Sequence, residues 1–155
     1  MMTAADFMIT DVISVFPESS IRELLLLFAA HNVSGVPVLD RQRRLKGMVT
    51  ISDVLRNLRP HTAHTLDMGV FMSFYVREKN LPDMMTELIA RPVSEVMTTG
   101  RLSAVKPDTD LADIAEIFGE QRFKKLPVVN DAHVVVGVVS RGDLTRYIVR
   151  ELLKD

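Results

Sequence analysis

The sequence predicts a mixed α/β fold of the α+β kind, assembled from one β-α-β-β-α unit used twice. Three observations carry that expectation. Gly47-Met48-Val49-Thr50-Ile51-Ser52-Asp53 recurs as Gly137-Val138-Val139-Ser140-Arg141-Gly142-Asp143, an offset of 90. Val15, Pro17, Phe28, Pro37, Val38 and Arg56 recur at that same offset as Val105, Pro107, Phe118, Pro127, Val128 and Arg146. Within each copy, apolar residues recur first at helical spacing and then in two short β-rich runs. A constant offset held from Val15 to Arg56 marks an internal repeat. A unit of roughly 50 residues buries little core alone, so the copies are expected to pack on each other about a pseudo-two-fold axis.

The first unit, taken as residues 7–59, opens with a short strand at Val12-Ile13-Ser14-Val15, ended by Pro17. Ser20 with Glu23 forms a capping-box start, and Ile21, Leu24, Leu25 and Phe28 follow at helical spacing. Leu26 and Leu27 widen the apolar face, so this helix is expected to be covered on more than one side. Val36–Leu39 and Leu45–Thr50 read as a hairpin around a polar turn, with a second helix from about Ser52 to Leu58, stopped before Pro60. The second unit, residues 96–153, repeats the order. It has a strand at Leu102–Val105, a helix over Asp108–Gln121, a hairpin of Leu126–Val129 with Val134–Ser140, and a last helix from Gly142 or Asp143. Between them, residues 60–95 form a connector in which Pro82–Ile89 reads as a short helix.

Several function classes find no support. The net charge of −1 gives no global attraction to nucleic acid or to an anionic membrane. No apolar run approaches the roughly 20 residues that span a bilayer, and the N-terminus lacks a basic region followed by an apolar core. The absence of cysteine excludes disulfides, thiolate metal sites and cysteine nucleophiles, and fits a cytoplasmic protein. His61 and His64 are three apart, but no carboxylate motif completes a zinc site. Catalytic triads and Gly-rich phosphate loops are absent, so the chain is not expected to be an enzyme.

The Gly-h-h-Ser/Thr-x-x-Asp junction between last strand and last helix, present twice, resembles that of a CBS domain. Phe7-Met8-Ile9-Thr10-Asp11 and Val96-Met97-Thr98-Thr99 are similar to the family's opening V-M-T segment. Val36-Pro37-Val38-Leu39-Asp40 and Leu126-Pro127-Val128-Val129-Asn130 are similar to its L-P-V-V-D strand. The match covers nearly everything but the connector, as in a free-standing CBS pair, or Bateman module. The resemblance implies a non-catalytic regulatory module that binds AMP, ADP, ATP or S-adenosylmethionine in clefts between the repeats. It also implies a homodimer, whose geometry or partner affinity the ligand changes.

The residues to which that role falls are Thr50 with Asp53 and Ser140 with Asp143. An ionised carboxylate accepts from neighbouring ribose hydroxyls, and a hydroxyl at a helix mouth suits a phosphate oxygen. The competing reading is that each pair only caps its own helix. Family resemblance places Lys124 and Lys125 near a ligand phosphate, where the first repeat has Ser34 and Gly35; a solvated lysine pair is the alternative. It places Ser14 and Ala104 along the adenine, and Val36, Pro37, Leu126 and Pro127 as apolar walls, although strand apolar residues are usually core. Arg41, Arg43, Arg44 and Lys46 form a basic turn that reads better as solvated than as a nucleic-acid patch. The connector's Met68, Phe71, Met72, Phe74, Tyr75, Met84 and Met85 fit a covering for the core or a dimer face better than a free partner surface. The rival to the nucleotide sensor is a ligand-free dimerisation module.

Overall fold

The computed structural model describes residues 2–58, 81–100, 103–120 and 124–154. Its first long helix, α1 (Ile21–His31), starts as its sequence dictates. Ser20 Oγ accepts from the Glu23 amide at 3.1 Å, and the Glu23 carboxylate accepts from the Ser20 amide at 3.3 Å. Ile21, Leu24 and Phe28 are buried, and Asn32 ends the helix in the left-handed region at φ 51°. Leu25 and Leu27 pack partly against the same core, while Leu26 is 61% exposed.

Each repeat contributes one antiparallel hairpin. In the first, β1 (Gly35–Leu39) pairs with β2 (Leu45–Thr50) in the register Gly35↔Thr50, slipping by one after Val38. In the second, β3 (Lys125–Val129) pairs with β4 (Val135–Ser140) as Lys125↔Ser140, slipping after Val128. The turns match as well. Asp40 Oδ1 accepts from the amides of Gln42 and Arg44, and Asn130 Oδ1 accepts from those of Ala132 and Val134. Arg43 and His133 both stand at φ 64°. Helix α2 (Ile51–Arg56) follows the first hairpin, α4 (Leu111–Glu120) precedes the second, and α5 (Arg141–Leu152) follows it. The connector helix α3 (Leu81–Ala90) packs on α1 and buries Leu88, where the sequence places a helix over Pro82–Ile89. The rest of the connector, with His61, His64 and the apolar stretch Met68–Tyr75, lies outside the described residues.

The two expected opening strands are shorter than the sequence suggests. Val15 makes a single parallel bridge to Val38, and Val105 a single one to Val128. Pro17 and Pro107 carry no N–H and end each extension two residues later.

What precedes those bridges is exchanged between the repeats. Residues 2–9 run along the second repeat. Leu111 N donates to Met2 O at 2.9 Å, Ala4 N to Thr109 O at 3.0 Å, and Ile9 and Val138 exchange two bonds of 2.9 Å. Residues 91–98 run along the first repeat in the same way. Ile21 N donates to Arg91 O at 2.9 Å, Val93 N to Ser19 O at 2.7 Å, and Met48 and Thr98 exchange bonds of 3.0 and 2.8 Å. This close approach explains the motif glycines. A Cβ on Gly47 would lie 2.9 Å from Thr98 O, and one on Gly137 would lie 2.7 Å from Met8 Sδ.

The core follows the exchange. One cluster joins Ile21, Leu24, Val36, Val38 and Val49 to Leu88, Val93 and Val96; another joins Ile114, Leu126, Val128 and Val139 to Ala4. A third, of Leu39, Leu45, Val129 and Val135, is built equally by the two hairpins. Among the described residues no helix is long and apolar enough to cross a membrane.

Candidate functional site

The strand-to-helix junctions of the two repeats each open into a cleft. Thr50 is the N-cap of α2 and Ser140 that of α5, both with extended backbone. Thr50 Oγ1 accepts from the Asp53 amide at 3.4 Å, and Asp53 Oδ2 accepts from the Thr50 amide at 2.8 Å and hydroxyl at 3.1 Å. Ser140 Oγ accepts from the Asp143 amide at 3.1 Å, while Asp143 Oδ2 accepts from the Ser140 amide at 3.2 Å and hydroxyl at 2.6 Å. The capping reading is therefore realised in full, twice. In each pair the other carboxylate oxygen, Oδ1, accepts from an arginine one turn on, Arg56 or Arg146. Asp53 is 4% exposed and is the buried charged residue among those described. Three of a carboxylate's four lone-pair sites are thus taken, which leaves room for one further donor.

The first cleft has a volume of about 410 Å³, within the range of small-molecule sites. Ser34, Thr50, Ser52, Asp53 and Arg56 line it from the first repeat; Thr98, Ser103, Lys124 and Lys125 line it from beyond the connector. Three cations thus surround one carboxylate. The second cleft is smaller, about 240 Å³, and is framed by Ser140, Asp143, Arg146, Val138 and Lys125 against Ile9, Asp11, Ile13, Val33, Val36 and Pro37. Here two carboxylates balance two cations, and the walls are mainly apolar.

Lys125 lines both clefts. Its Nζ donates to Gly35 O at 3.2 Å. Burial pushes its amine below the ordinary lysine range, and the Asp143 charge pulls it partly back up.

The sequence-selected residues are sorted by this geometry. Thr50, Asp53, Lys124 and Lys125 share the first cleft; Ser140, Asp143, Val36, Pro37 and again Lys125 share the second. Ser14, Ala104, Leu126 and Pro127 line neither. Leu126 is fully buried in the second repeat's core, Pro127 is buried opposite Val138, and Ala104 packs on the cluster shared by the hairpins. Their neighbours Ile13 and Ser103 take the cleft positions instead. Successive side chains of an extended segment face opposite ways, so a shift of one residue exchanges cleft for core. Arg56, Arg146, Asp11, Thr98 and Ser103 are cleft residues that the sequence reading did not select. For the two arginines a signal was present: each sits three residues after the motif aspartate, on the same helix face.

A family model described as CBS domain matches residues 4–60 and, separately, 93–150. The chain belongs to the CBS domain family. This CBS pair is 33% identical over 144 residues to the CBS domain-containing protein YhcV of Bacillus subtilis, covering 93% of this chain and 84% of that one. The crystal structure of CBSX2 in complex with AMP superposes with a TM-score of 0.72 at 25% identity, over 97% of this chain and 98% of the other; CBSX2 is from Arabidopsis thaliana. Inosine-5′-monophosphate dehydrogenase of Aquifex aeolicus is 28% identical over 90% of this chain, which spans only 23% of that enzyme.

Proposed function

We propose that this CBS pair is a regulatory adenine-nucleotide sensor of the cytoplasm, without catalysis of its own. AMP, ADP or ATP binds in the first cleft and S-adenosylmethionine is the alternative adenosyl ligand. The observation that carries this reading is the charge of the first cleft, where Arg56, Lys124 and Lys125 surround Asp53. Charge-assisted bonds from such cations are the strong ones for phosphate, and Asp53 accepts from a ribose hydroxyl at its remaining lone-pair site. AMP bound to CBSX2, whose crystallised chain this one covers to 98% with the same fold, supports the choice of ligand. Thr50 and Ser103 supply hydroxyls beside the phosphate, and Ser140 with Asp143 offers the corresponding contacts in the second cleft. We further propose a homodimer, with the exposed Leu26 and Leu55 of α1 and α2 covered by a second copy.

The rival reading, a ligand-free interaction module, is favoured by one observation: both Ser/Thr–Asp–Arg sets are complete without ligand. Thermal unfolding with AMP, ADP, ATP and S-adenosylmethionine decides between them. A ligand at about 100 times its dissociation constant adds roughly 2.7 kcal/mol, and one of the four is expected to do so. Asp53→Ala is expected to remove that stabilisation. No shift with any ligand, or a shift untouched by both Asp53→Ala and Asp143→Ala in folded protein, sinks the assignment.

A further inference from the structure

We propose that the two clefts compete for Lys125: a phosphate-bearing ligand in the first cleft withdraws its ammonium from the second, which then takes another such ligand only weakly. This rests on the nucleotide reading and concerns its regulation. Lys125 lines both clefts, and its Nζ is held between them by the carbonyl of Gly35. Gly35 is the residue that the repeat makes equivalent to Lys125, exactly 90 positions away. The pseudo-two-fold axis therefore passes close to one ammonium that has no counterpart. Position 125 serves two sites, and position 35 contributes only backbone.

The surroundings of that ammonium differ on its two sides. Toward the first cleft stand Lys124, Arg56 and Asp53; toward the second stand Asp143, Arg146 and Asp11. Lysine is a compact charge on a flexible four-carbon stem, free to turn to either side. A phosphate in the first cleft adds negative charge there and draws the ammonium toward it. Asp11 and Asp143 are then opposed by Arg146 alone, so a second phosphate enters surroundings of its own sign. By linkage the effect is reciprocal: a phosphate ligand seated first in the second cleft weakens the first cleft to the same degree. Adenosine, which carries no phosphate, escapes the competition.

The test is calorimetric titration with AMP of the wild-type chain, Ser34→Trp, and Ser34→Trp combined with Lys125→Met. Ser34 is exposed and lines the first cleft alone, so tryptophan there fills that cleft and leaves the second open. Ser34→Phe serves the same purpose should tryptophan disturb the fold, which far-UV circular dichroism reads. In the wild type the second AMP is expected to bind at least about tenfold more weakly than the first, a separation of roughly 1.4 kcal/mol. The one remaining step of Ser34→Trp is expected to be about tenfold tighter than that second step, and Lys125→Met should abolish the gain. Adenosine should fill both wild-type clefts without the separation. A remaining step no tighter than the wild-type second step, or a gain that survives Lys125→Met, overturns the coupling. Two AMP molecules bound with equal affinity overturn it while leaving the nucleotide reading intact. Silence with AMP, adenosine, ADP, ATP and S-adenosylmethionine alike overturns the nucleotide reading itself.

Discussion

Asp53 holds a helix cap, an arginine and one wall of a cleft with a single carboxylate. Asp53→Ala keeps the Thr50 N-cap bond and removes only the carboxylate half of the capping box. It should cost about 1 kcal/mol, the scale of a hydrogen bond, and lower the unfolding midpoint by about 2–4 °C per kcal/mol lost in a chain of this size. Lys125→Met should do the opposite to the free protein. Its folded-state pKa lies below the unfolded value, because burial disfavours the charge. Between those two values the unfolded chain holds more protons, so stability rises as pH climbs through that window. Below the folded-state value the penalty stands in full. Removing the amine relieves that burial cost, which solvent partly screens, and gives up the bond to Gly35 O, so the unliganded variant is expected to be slightly more stable than the wild type. The rise in stability above neutral pH should also flatten in the variant, read by denaturant titration from pH 7 upward. At this scale the sequence showed the hydroxyl–aspartate pairs and the lysines by residue type and position. It did not show facing: Ser103 and Ala104 are adjacent, and the packing of Ala104 on the cluster of Leu39, Leu45, Val129 and Val135 decides which meets the cleft.

Helices and hairpins were legible because capping boxes, apolar spacing and turn residues are local signals. Ser20 with Glu23, and Asp40 and Asn130 in their turns, act on atoms within four residues. The exchange of the leading segments was not legible, and the reason is symmetry. If residues 2–9 packed on their own repeat and 91–98 on theirs, the sequence correspondence between the copies would be unchanged. The glycines carried the only hint, since their need for space depends on a neighbour from the other end of the chain. A Cβ at Gly137 would meet Met8 Sδ at 2.7 Å and the backbone Ile9 O at 3.1 Å, and one at Gly47 would meet Met97 Sδ and the backbone Thr98 O, both at 2.9 Å, so the less yielding carbonyl stands closer at Gly47. Gly47→Ala should consequently destabilise by about 1–3 kcal/mol, as overpacking does, and Gly137→Ala by less. Equal losses, measured by urea unfolding of the two variants, would contradict the asymmetry of these contacts.

For the molecule as a whole, the exchange and the shared cluster make each repeat incomplete without the other. Leu45 N donates to His133 O at 3.3 Å and Val135 N to Arg43 O at 2.9 Å, so the hairpins are joined by backbone as well as by Leu39, Leu45, Val129 and Val135. The first repeat's core takes Leu88, Val93 and Val96 from beyond residue 80; the second's takes Ala4 from the N-terminal segment. A single unit of about 60 residues is marginal even with its own core intact. Cutting the chain within residues 59–80 should therefore give two pieces that are largely unfolded alone and fold together when mixed. Circular dichroism of each piece and of the equimolar mixture reads this directly. The mixture should show helix beyond the sum of its parts, and its midpoint should depend on concentration, as association demands. Because the first cleft draws Thr50, Asp53 and Arg56 from one piece and Lys124 and Lys125 from the other, AMP should strengthen their association. A piece that folds fully by itself would mean that the exchanged segments decorate two independent cores instead of completing them.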